Sequence, residues 1–203
     1  SYASRMAKGD SYAKMLRHAI KRSIVLILLG VFLRSNYKSE TYWTFTDVLS
    51  QIGLGYTFLF LLWNRKRWIQ ISALIVILIG YWGLFSAWSL PGPDFDYQEA
   101  GVTKDWEYNF EGFYAHWNKN SNPAHYFDQY FLNLFPRSTE FTNNGGGYQT
   151  LSFIPSLATM IFGLLCGELI RKDYSQWKRL GLLIFWSIFL ASLGWAMDYF
   201  GIC

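Results

Sequence analysis

The sequence has few of the residues and motifs that mark common soluble enzymes. Its two cysteines, Cys166 and Cys203, lie in an apolar stretch and at the end of the chain, so no disulfide framework is indicated. It contains no metal-binding motif, phosphate-binding Walker loop, dinucleotide fingerprint or serine nucleophile elbow. These absences argue against a disulfide-stapled domain, a bound metal and the familiar nucleotide-binding and serine-hydrolase classes.

Long apolar segments are the main feature that is present. Five of them cover residues 19–33, 48–63, 69–88, 151–170 and 180–196. Each approaches the ~20 residues that a helix needs to cross a hydrocarbon core. The sequence therefore predicts an all-α, polytopic transmembrane helix bundle with five spans.

Charge alternates in sign between these segments. Thirteen of the eighteen Lys and Arg residues lie in three short stretches, namely Arg5, Lys8, Lys14, Arg17, Lys21 and Arg22, then Arg65, Lys66 and Arg67, then Arg171, Lys172, Lys178 and Arg179. By the positive-inside rule these stretches are cytoplasmic, and residues 89–149 are extracytoplasmic. The basic residues that give the chain its net charge of +4 are then expected to contact anionic membrane lipids. We therefore expect no nucleic-acid partner.

These assignments divide the chain into four parts. We expect residues 1–18 to be the cytoplasmic tail of an earlier helix, 19–88 three spans, 89–149 an extracytoplasmic cap loop of about 60 residues, and 150–203 two spans. Because the chain starts at Ser1 without Met and stops as the fifth span ends, we expect it to be truncated at both ends.

The predicted cap loop is rich in aromatic residues, which is typical of an ordered segment. Apolar residues at 127, 130, 131 and 134 predict one face of a short helix over residues 125–133, ended by Pro136. Residues 143–147, Asn-Asn-Gly-Gly-Gly, suggest a flexible hinge before the fourth span.

Two predicted spans contain polar or helix-bending residues. Asp47 or the preceding Thr46 can cap the second span, where Asp47, Ser50 and Gln51 share a face directed into the bundle. In the fourth span, Pro155 can kink the helix. Both features fit helix packing as well as a substrate channel.

A sugar site is predicted within the cap loop. Trp117, Asn118, Lys119 and Asn120 combine an aromatic face with hydrogen-bonding groups, as a pyranose ring requires. We include Asp47 and Gln51 as further substrate-binding candidates.

Three residues are weak candidates for catalysis. The nearby histidines His116 and His125 could act as general acid or base. Asp128 could orient an imidazole. The alternative for the histidines is an ordinary place in the cap. For Asp128, as for Asp47 and Asp198, it is a solvated position at the outward end of a helix.

At the cytoplasmic end, basic residues could bind an anionic cofactor. The candidates are Lys21, Arg22, Arg65 and Arg67. Their role in fixing the topology explains them equally well.

Four stretches of the chain together are similar to a known enzyme family. Residues 16–30 (LRHAIKRSIVLILLG), 48–56 (VLSQIGLGY), 126–132 (YFDQYFL) and 151–167 (LSFIPSLATMIFGLLCG) resemble, in order, the heparan-alpha-glucosaminide N-acetyltransferase family and its bacterial relatives.

This resemblance implies a transmembrane acyltransferase of the bacterial inner membrane. Such an enzyme takes an acetyl group from cytosolic acetyl-CoA and delivers it to an amino sugar or envelope glycan across the membrane, forming an N- or O-acetyl product. The histidine that the family uses is expected upstream of Ser1. The resemblance implies no metal. It leaves open whether the protein forms a homo-oligomer.

Two other functions remain open at this stage. A multispan carrier or permease fits the hydropathy, although no internal repeat and no charge at the centre of a span support it. A non-enzymatic membrane scaffold could use the aromatic cap as a docking surface.

Overall fold

The computed structural model describes residues 2–103 and 105–200, and these residues form helices and loops without a β-strand. The terminal residues Ser1 and Cys203, on which the expected truncation depends, lie outside this part. The helices are α1 (Tyr2–Ala7), α2 (Tyr12–Ser35), α3 (Val48–Leu62), α4 (Arg67–Ser86), α5 (Pro123–Leu132), α6 (Phe153–Arg171) and α7 (Gln176–Tyr199). Two short 3-10 helices cover Gly112–Trp117 and Thr150–Ser152. The prediction of an all-α fold is confirmed.

Three helical segments are long and apolar enough to cross a membrane. They are Arg67–Ser86, Thr150–Arg171 and Gln176–Tyr199. Helix α3 is apolar but has only 15 residues, roughly 22 Å at 1.5 Å per residue, which is shorter than a ~30 Å hydrocarbon core. Helix α2 has 24 residues, and its first half is strongly basic. The structure thus supports a membrane protein with three candidate spans.

Side-chain caps explain where several helices begin. The Asp47 carboxylate accepts the Ser50 backbone N–H at 3.0 Å at the start of α3, so of the two predicted caps Asp47 is the one used. Ser11 caps α2 and Ser175 caps α7 in the same way. Each cap satisfies an N–H group that the first helical turn leaves unpaired.

The chain forms two compact units, one up to Met160 and one from Ile161. Helices α2 and α3 pack against each other in the first unit. The Ser23 and Thr57 hydroxyls are 2.7 Å apart across this contact, and the backbone of α2 closely approaches Gly53. Small residues permit this distance, as in many membrane helix pairs.

The start of α3 also fits tightly against α2, and we expect Gly30→Ala to disrupt this contact. A methyl group at position 30 would lie 2.6 and 2.7 Å from the two carboxylate oxygens of Asp47, and even closer to the Ser50 hydroxyl. Because both partners are fixed by capping α3, the helices must move apart, at a cost of about 1–3 kcal/mol. Thermal melting of the purified full-length protein should therefore give a lower Tm.

Gly80→Ala is the matched control for this change, since no described atom lies within 4 Å of its Cβ position. An equal fall in Tm for the two variants would contradict a specific contact at Gly30.

The second unit contains the end of α6 and all of α7. None of the described residues of α7 is buried, although the helix is apolar over most of its length. A helix that is apolar on every side needs an apolar environment, which a bilayer provides.

Pro155, predicted as a possible kink, lies in the first turn of α6. Pro155 is the third residue of α6, where the backbone N–H groups of a helix have no partner one turn earlier. A proline at this position removes no regular hydrogen bond, so α6 continues without interruption.

The segment between α4 and α6 packs against the loop that joins α2 to α3. The Trp43 ring stacks on Phe135 with centroids 5.2 Å apart, and Phe45 contacts Phe131 at 5.6 Å. The Arg137 guanidinium donates to the Trp43 carbonyl at 3.0 Å. These contacts tie residues far apart in sequence to one end of the first unit.

The short helix predicted over residues 125–133 corresponds to α5. Helix α5 buries its face at 124, 125, 128 and 132, whereas Tyr130 and Leu134 on the predicted apolar face are 72% and 62% exposed. The helix also ends before Pro136. The Asn133 side chain pairs with both backbone groups of Phe141, at 2.8 and 3.0 Å, and turns the chain away from the helix axis.

Candidate functional site

A cleft of about 410 Å³ lies between the end of α4 and the 89–149 segment. Its walls combine six aromatic rings with two amides, one lysine and two glycines, namely Tyr81, Phe85, Trp106, Tyr108, Phe110, Trp117, Lys119, Asn122, Gly146, Gly147 and Gln149. Lys119 is the only charged side chain in this set. Rings with a few placed polar groups are the usual lining of a small-molecule site.

Packing against α4 fixes one wall of the cleft. Trp117 ends the 3-10 helix Gly112–Trp117, and its ring lies 6.4 Å from Phe85 and 6.0 Å from Trp82 between centroids. The Gly112 residue that opens this turn has φ +64°, a conformation that favours glycine.

Lys119 joins the opposite walls. Its ammonium group lies 4.7 Å from the centre of the Trp106 ring and donates to the Gly145 carbonyl at 2.6 Å. Gly147, at φ +73°, lies directly against the stem of the lysine, so that a Cβ there would be 3.1 Å from the Lys119 Cγ. The cation–π contact and the hydrogen bond hold the lysine along the cleft.

The predicted hinge at residues 143–147 is a hydrogen-bonded turn. Asn144 accepts the N–H of Gly146 at 2.9 Å through its side chain and the N–H of Gly147 at 2.8 Å through its backbone. The Asn120 side-chain amide donates to the same Asn144 carbonyl at 3.2 Å. The glycines therefore permit the conformation of the turn and allow the Lys119 side chain to lie close to Gly147.

Of the four cap-loop residues predicted to contact sugar, Asn118 and Asn120 are buried and hold the backbone of neighbouring segments. Asn118 is buried and pairs with both backbone groups of Phe110, each at 2.8 Å. Asn120 is fully buried and donates to the carbonyls of Ala100 and Asn144. Trp117 and Lys119 line the cleft, whereas Asn118 and Asn120 position its walls.

We expect Asn118→Asp to loosen this wall. The carboxylate would keep the bond from the Phe110 N–H, and the Tyr97 hydroxyl could turn to donate to it, but it would face the Phe110 carbonyl without a proton to donate. Loss of a buried hydrogen-bond donor costs about 1–3 kcal/mol of folding free energy, and an unpaired buried charge costs more. Hydrogen–deuterium exchange of the full-length protein should show faster exchange at residues 106–118.

The exposed Asn109→Asp is the matched control for this prediction. The protection of α2 and α3 should stay unchanged in both variants. Equal exchange in Asn118→Asp and the wild type would show that the amide does not hold the wall.

Asp128 is buried, not solvated at a helix end as predicted. It lies in the middle of α5 and is 1% exposed. Burial raises its pKa to about 6, although the hydrogen bonds from the Thr150 hydroxyl and from the Thr150 backbone N–H, the latter at 2.8 Å, oppose this increase. Its carboxyl group forms no hydrogen bond with a histidine in the described part of the chain, so the predicted role in orienting an imidazole has no support.

The two candidate histidines lie in different helical elements, His116 in the 3-10 helix Gly112–Trp117 and His125 in α5. His125 is buried one turn before Asp128, and burial lowers its imidazole pKa. His116 lies in the 3-10 helix with its ring edge toward Phe113 and Trp117, and its Nδ1 has no partner among the described residues. Neither histidine is part of the cleft lining.

The side chains of Asp47 and Gln51 form hydrogen bonds with protein groups at the start of α3. Asp47 accepts the Ser50 hydroxyl at 2.6 Å in addition to the capping N–H. The Gln51 side chain donates to the Thr46 carbonyl at 3.2 Å and accepts from the Ser156 hydroxyl at 2.8 Å. Neither residue belongs to the cleft lining, and both stabilise the junction of the helices.

The four residues predicted to bind a cofactor do not share one pocket. Arg65 lines a cleft of about 430 Å³ together with Met6, Asp10, Tyr12, Met15, Trp63 and Asn64. Arg22 instead donates to the Tyr56 hydroxyl at 3.1 Å. Lys21 and Arg67 are exposed.

Sequence reasoning missed Tyr81, Gln149 and Thr150. Tyr81 lies in an apolar span, and its hydroxyl is hydrogen-bonded to the Ser152 side chain. Gln149 and Thr150 look like the polar start of the next span. Their position beside Asp128 depends on long-range folding, which a local pattern does not contain.

No protein-family model matches this chain, and comparisons with characterised proteins and with solved structures found no match either. The resemblance to an acetyltransferase family therefore rests on its sequence stretches alone. The geometry of the cleft is the independent basis on which a function can be argued.

Proposed function

We propose that this protein is a transmembrane acyltransferase that moves an acetyl group from cytosolic acetyl-CoA to an amino sugar or envelope glycan on the other side of the membrane. The observation that carries this proposal is the aromatic cleft beside Lys119, Asn122 and Gln149. Aromatic faces suit the C–H faces of a pyranose, and amide and ammonium groups suit its hydroxyls.

The proposal includes five spans in residues 19–88 and 150–203, with residues 89–149 as an extracytoplasmic cap. The distribution of charge supports it, since the basic stretches lie at the helix ends that are remote in sequence from 89–149. The contacts of Trp43 and Phe45 with the cap segment also support it, because they join that segment to the end of α2 and the start of α3.

The cytoplasmic end supplies a second argument. The cleft at Arg65 combines a guanidinium group with the aromatic residues Tyr12 and Trp63, and its one acid, Asp10, is paired with Arg5 and Lys14. Phosphate groups and a purine ring fit such a surface. Acetyl-CoA is the donor with these two groups that the family resemblance implies.

Acyl transfer also requires a base for the acceptor proton and donors for the developing oxyanion. In this chain the cap segment would bind and orient the acceptor.

The test uses full-length protein, expressed from its complete reading frame and purified in detergent. Labelled acetyl-CoA is incubated with methyl β-glucosaminide, and the acetylated sugar is measured by mass spectrometry. We expect transfer that saturates with both substrates. Absence of transfer to amino and hydroxyl sugars, together with absence of acetyl-CoA binding, would contradict the proposal and favour a carrier or a scaffold.

A further inference from the structure

The outer side of α5 carries an uncovered apolar stripe. Tyr126, Phe127 and Tyr130 are exposed on the helix, and Leu134 is exposed in the turn that follows it. At 3.6 residues per turn, the three helical residues fall within about 100° of the helix surface, which is the width of a stripe that normally faces a core. These four residues form the α5 stripe. Contiguous exposed apolar surface of this kind marks contact with a membrane or with another molecule.

Protein groups cover the other sides of α5. Leu132, on the buried face, belongs to a core cluster with side chains of α2 and of the loop before α3. The polar side chains between that face and the α5 stripe bind the chain that follows the helix. Gln129 donates to the Thr142 carbonyl at 2.8 Å, and Asn133 donates to the Phe141 carbonyl at 3.0 Å. The side of α5 that stays open is therefore its apolar side.

Two contacts place α5 at the level where candidate membrane spans end. Trp88 follows the last residue of α4 by two positions, and its ring centroid lies 5.7 Å from that of Tyr126. Thr150 begins the next candidate span, and its backbone N–H donates at 2.8 Å to the carboxylate of Asp128 in the middle of α5. The described residues between these two spans contain no other helix long enough to cross a membrane, so both ends face the same side. Helix α5 therefore lies beside the surface of the bilayer.

The composition of the α5 stripe fits the interfacial region of a bilayer. Tyrosine and tryptophan are enriched at this depth, where the ring contacts apolar chains and the polar end contacts headgroups. Trp88 is exposed as well and extends the stripe toward the end of α4. Helix α5 contains one Asp, Glu, Lys or Arg, namely Asp128, and that residue is buried. The stripe therefore brings no charge into the lipid.

We propose that the α5 stripe inserts into the boundary between lipid headgroups and acyl chains and holds the cap segment on the bilayer, as an interfacial helix does. This inference goes beyond the proposed function and does not depend on the reaction in the cleft. It has a consequence for the cleft, because Asn122 caps α5 and also lines the cleft. Lipid that holds α5 therefore fixes the position of one cleft wall.

The test measures the surroundings of a nitroxide spin label in the full-length protein, reconstituted in phosphatidylcholine vesicles after its native cysteines are replaced by serine. Tyr130→Cys and Leu134→Cys provide two labelling positions on the α5 stripe. Asp94→Cys, at an exposed position of the same segment, is the matched control. Collision rates of the label are measured with oxygen, which dissolves well in the acyl region, and with a water-soluble nickel chelate. The ratio of oxygen to nickel collisions should be at least about 5-fold higher on the stripe than at position 94, because transfer of the polar chelate out of water is unfavourable.

Two outcomes would overturn the inference. Labels on the α5 stripe that collide with both reagents as the control does would place the stripe in water. Labels shielded from both reagents, with dipolar broadening that disappears on dilution with unlabelled protein, would assign the stripe to a contact with a second copy of the chain. All three substituted side chains are exposed, and either stripe position decides the result if the other variant does not fold.

Discussion

Trp106→Ala is expected to weaken binding of the sugar acceptor about 30-fold, with little effect on folding. Trp106 is 39% exposed, contacts Tyr108 by its edge and lies under the Lys119 ammonium, so the rest of its ring surface is available to a ligand. A central aromatic contact is commonly worth about 2 kcal/mol or more, which corresponds to this ratio. The measurement is the KM for the acceptor at saturating acetyl-CoA.

Trp88→Ala provides a closely matched control for this prediction. Trp88 is 38% exposed and packs on Tyr126, but it does not line the cleft. The KM should rise only in Trp106→Ala. Equal effects of the two substitutions would indicate a general loss of stability and would remove the argument for a sugar-binding wall.

Asp128→Asn is expected to change the pH dependence of stability by about 3 kcal/mol. Burial raises the pKa of Asp128 from 3.8 to about 6, so the folded protein binds the proton more tightly than the unfolded chain does. Stability is then greatest below pH 3.8, falls as pH rises toward 6 and is constant above that value. The difference in pKa corresponds to about 3 kcal/mol.

The amide that Asp128→Asn introduces does not titrate and removes this dependence, so the gap in Tm between variant and wild type should widen from pH 4 to pH 7. Burial lowers the pKa of His125, which adds stability as pH rises, but this contribution is shared by both proteins and cancels in the comparison. Thermal melting in detergent at a fixed scan rate gives the comparison. A gap that stays constant over this range would contradict a buried carboxylate with a raised pKa.

Much of the fold could be predicted from hydrophobicity. Long apolar runs located α4, α6 and α7, and the Asp47 cap located the start of α3, because these signals are local. Other features depend on contacts between distant residues. Asn133 ends α5 only because it pairs with Phe141, eight residues later.

The candidate site could be predicted only in part. Trp117 and Lys119 were found because an aromatic residue and several polar residues share one short stretch there, and both line the cleft. The buried face of α5 was missed, since its exposed aromatic residues gave the stronger periodic signal. Asp128 is held by a hydrogen bond from Thr150, which lies 22 residues later in the chain.

The sidedness of acetyl transfer tests the central claim most directly. Sealed inside-out membrane vesicles containing the full-length protein would be loaded with methyl β-glucosaminide, and labelled acetyl-CoA would be added outside. The account predicts labelled sugar inside the vesicles, and none when acetyl-CoA is confined to the lumen with the sugar. Transfer only when donor and acceptor are on the same face would contradict an enzyme with a cytoplasmic donor end and an extracytoplasmic acceptor cleft.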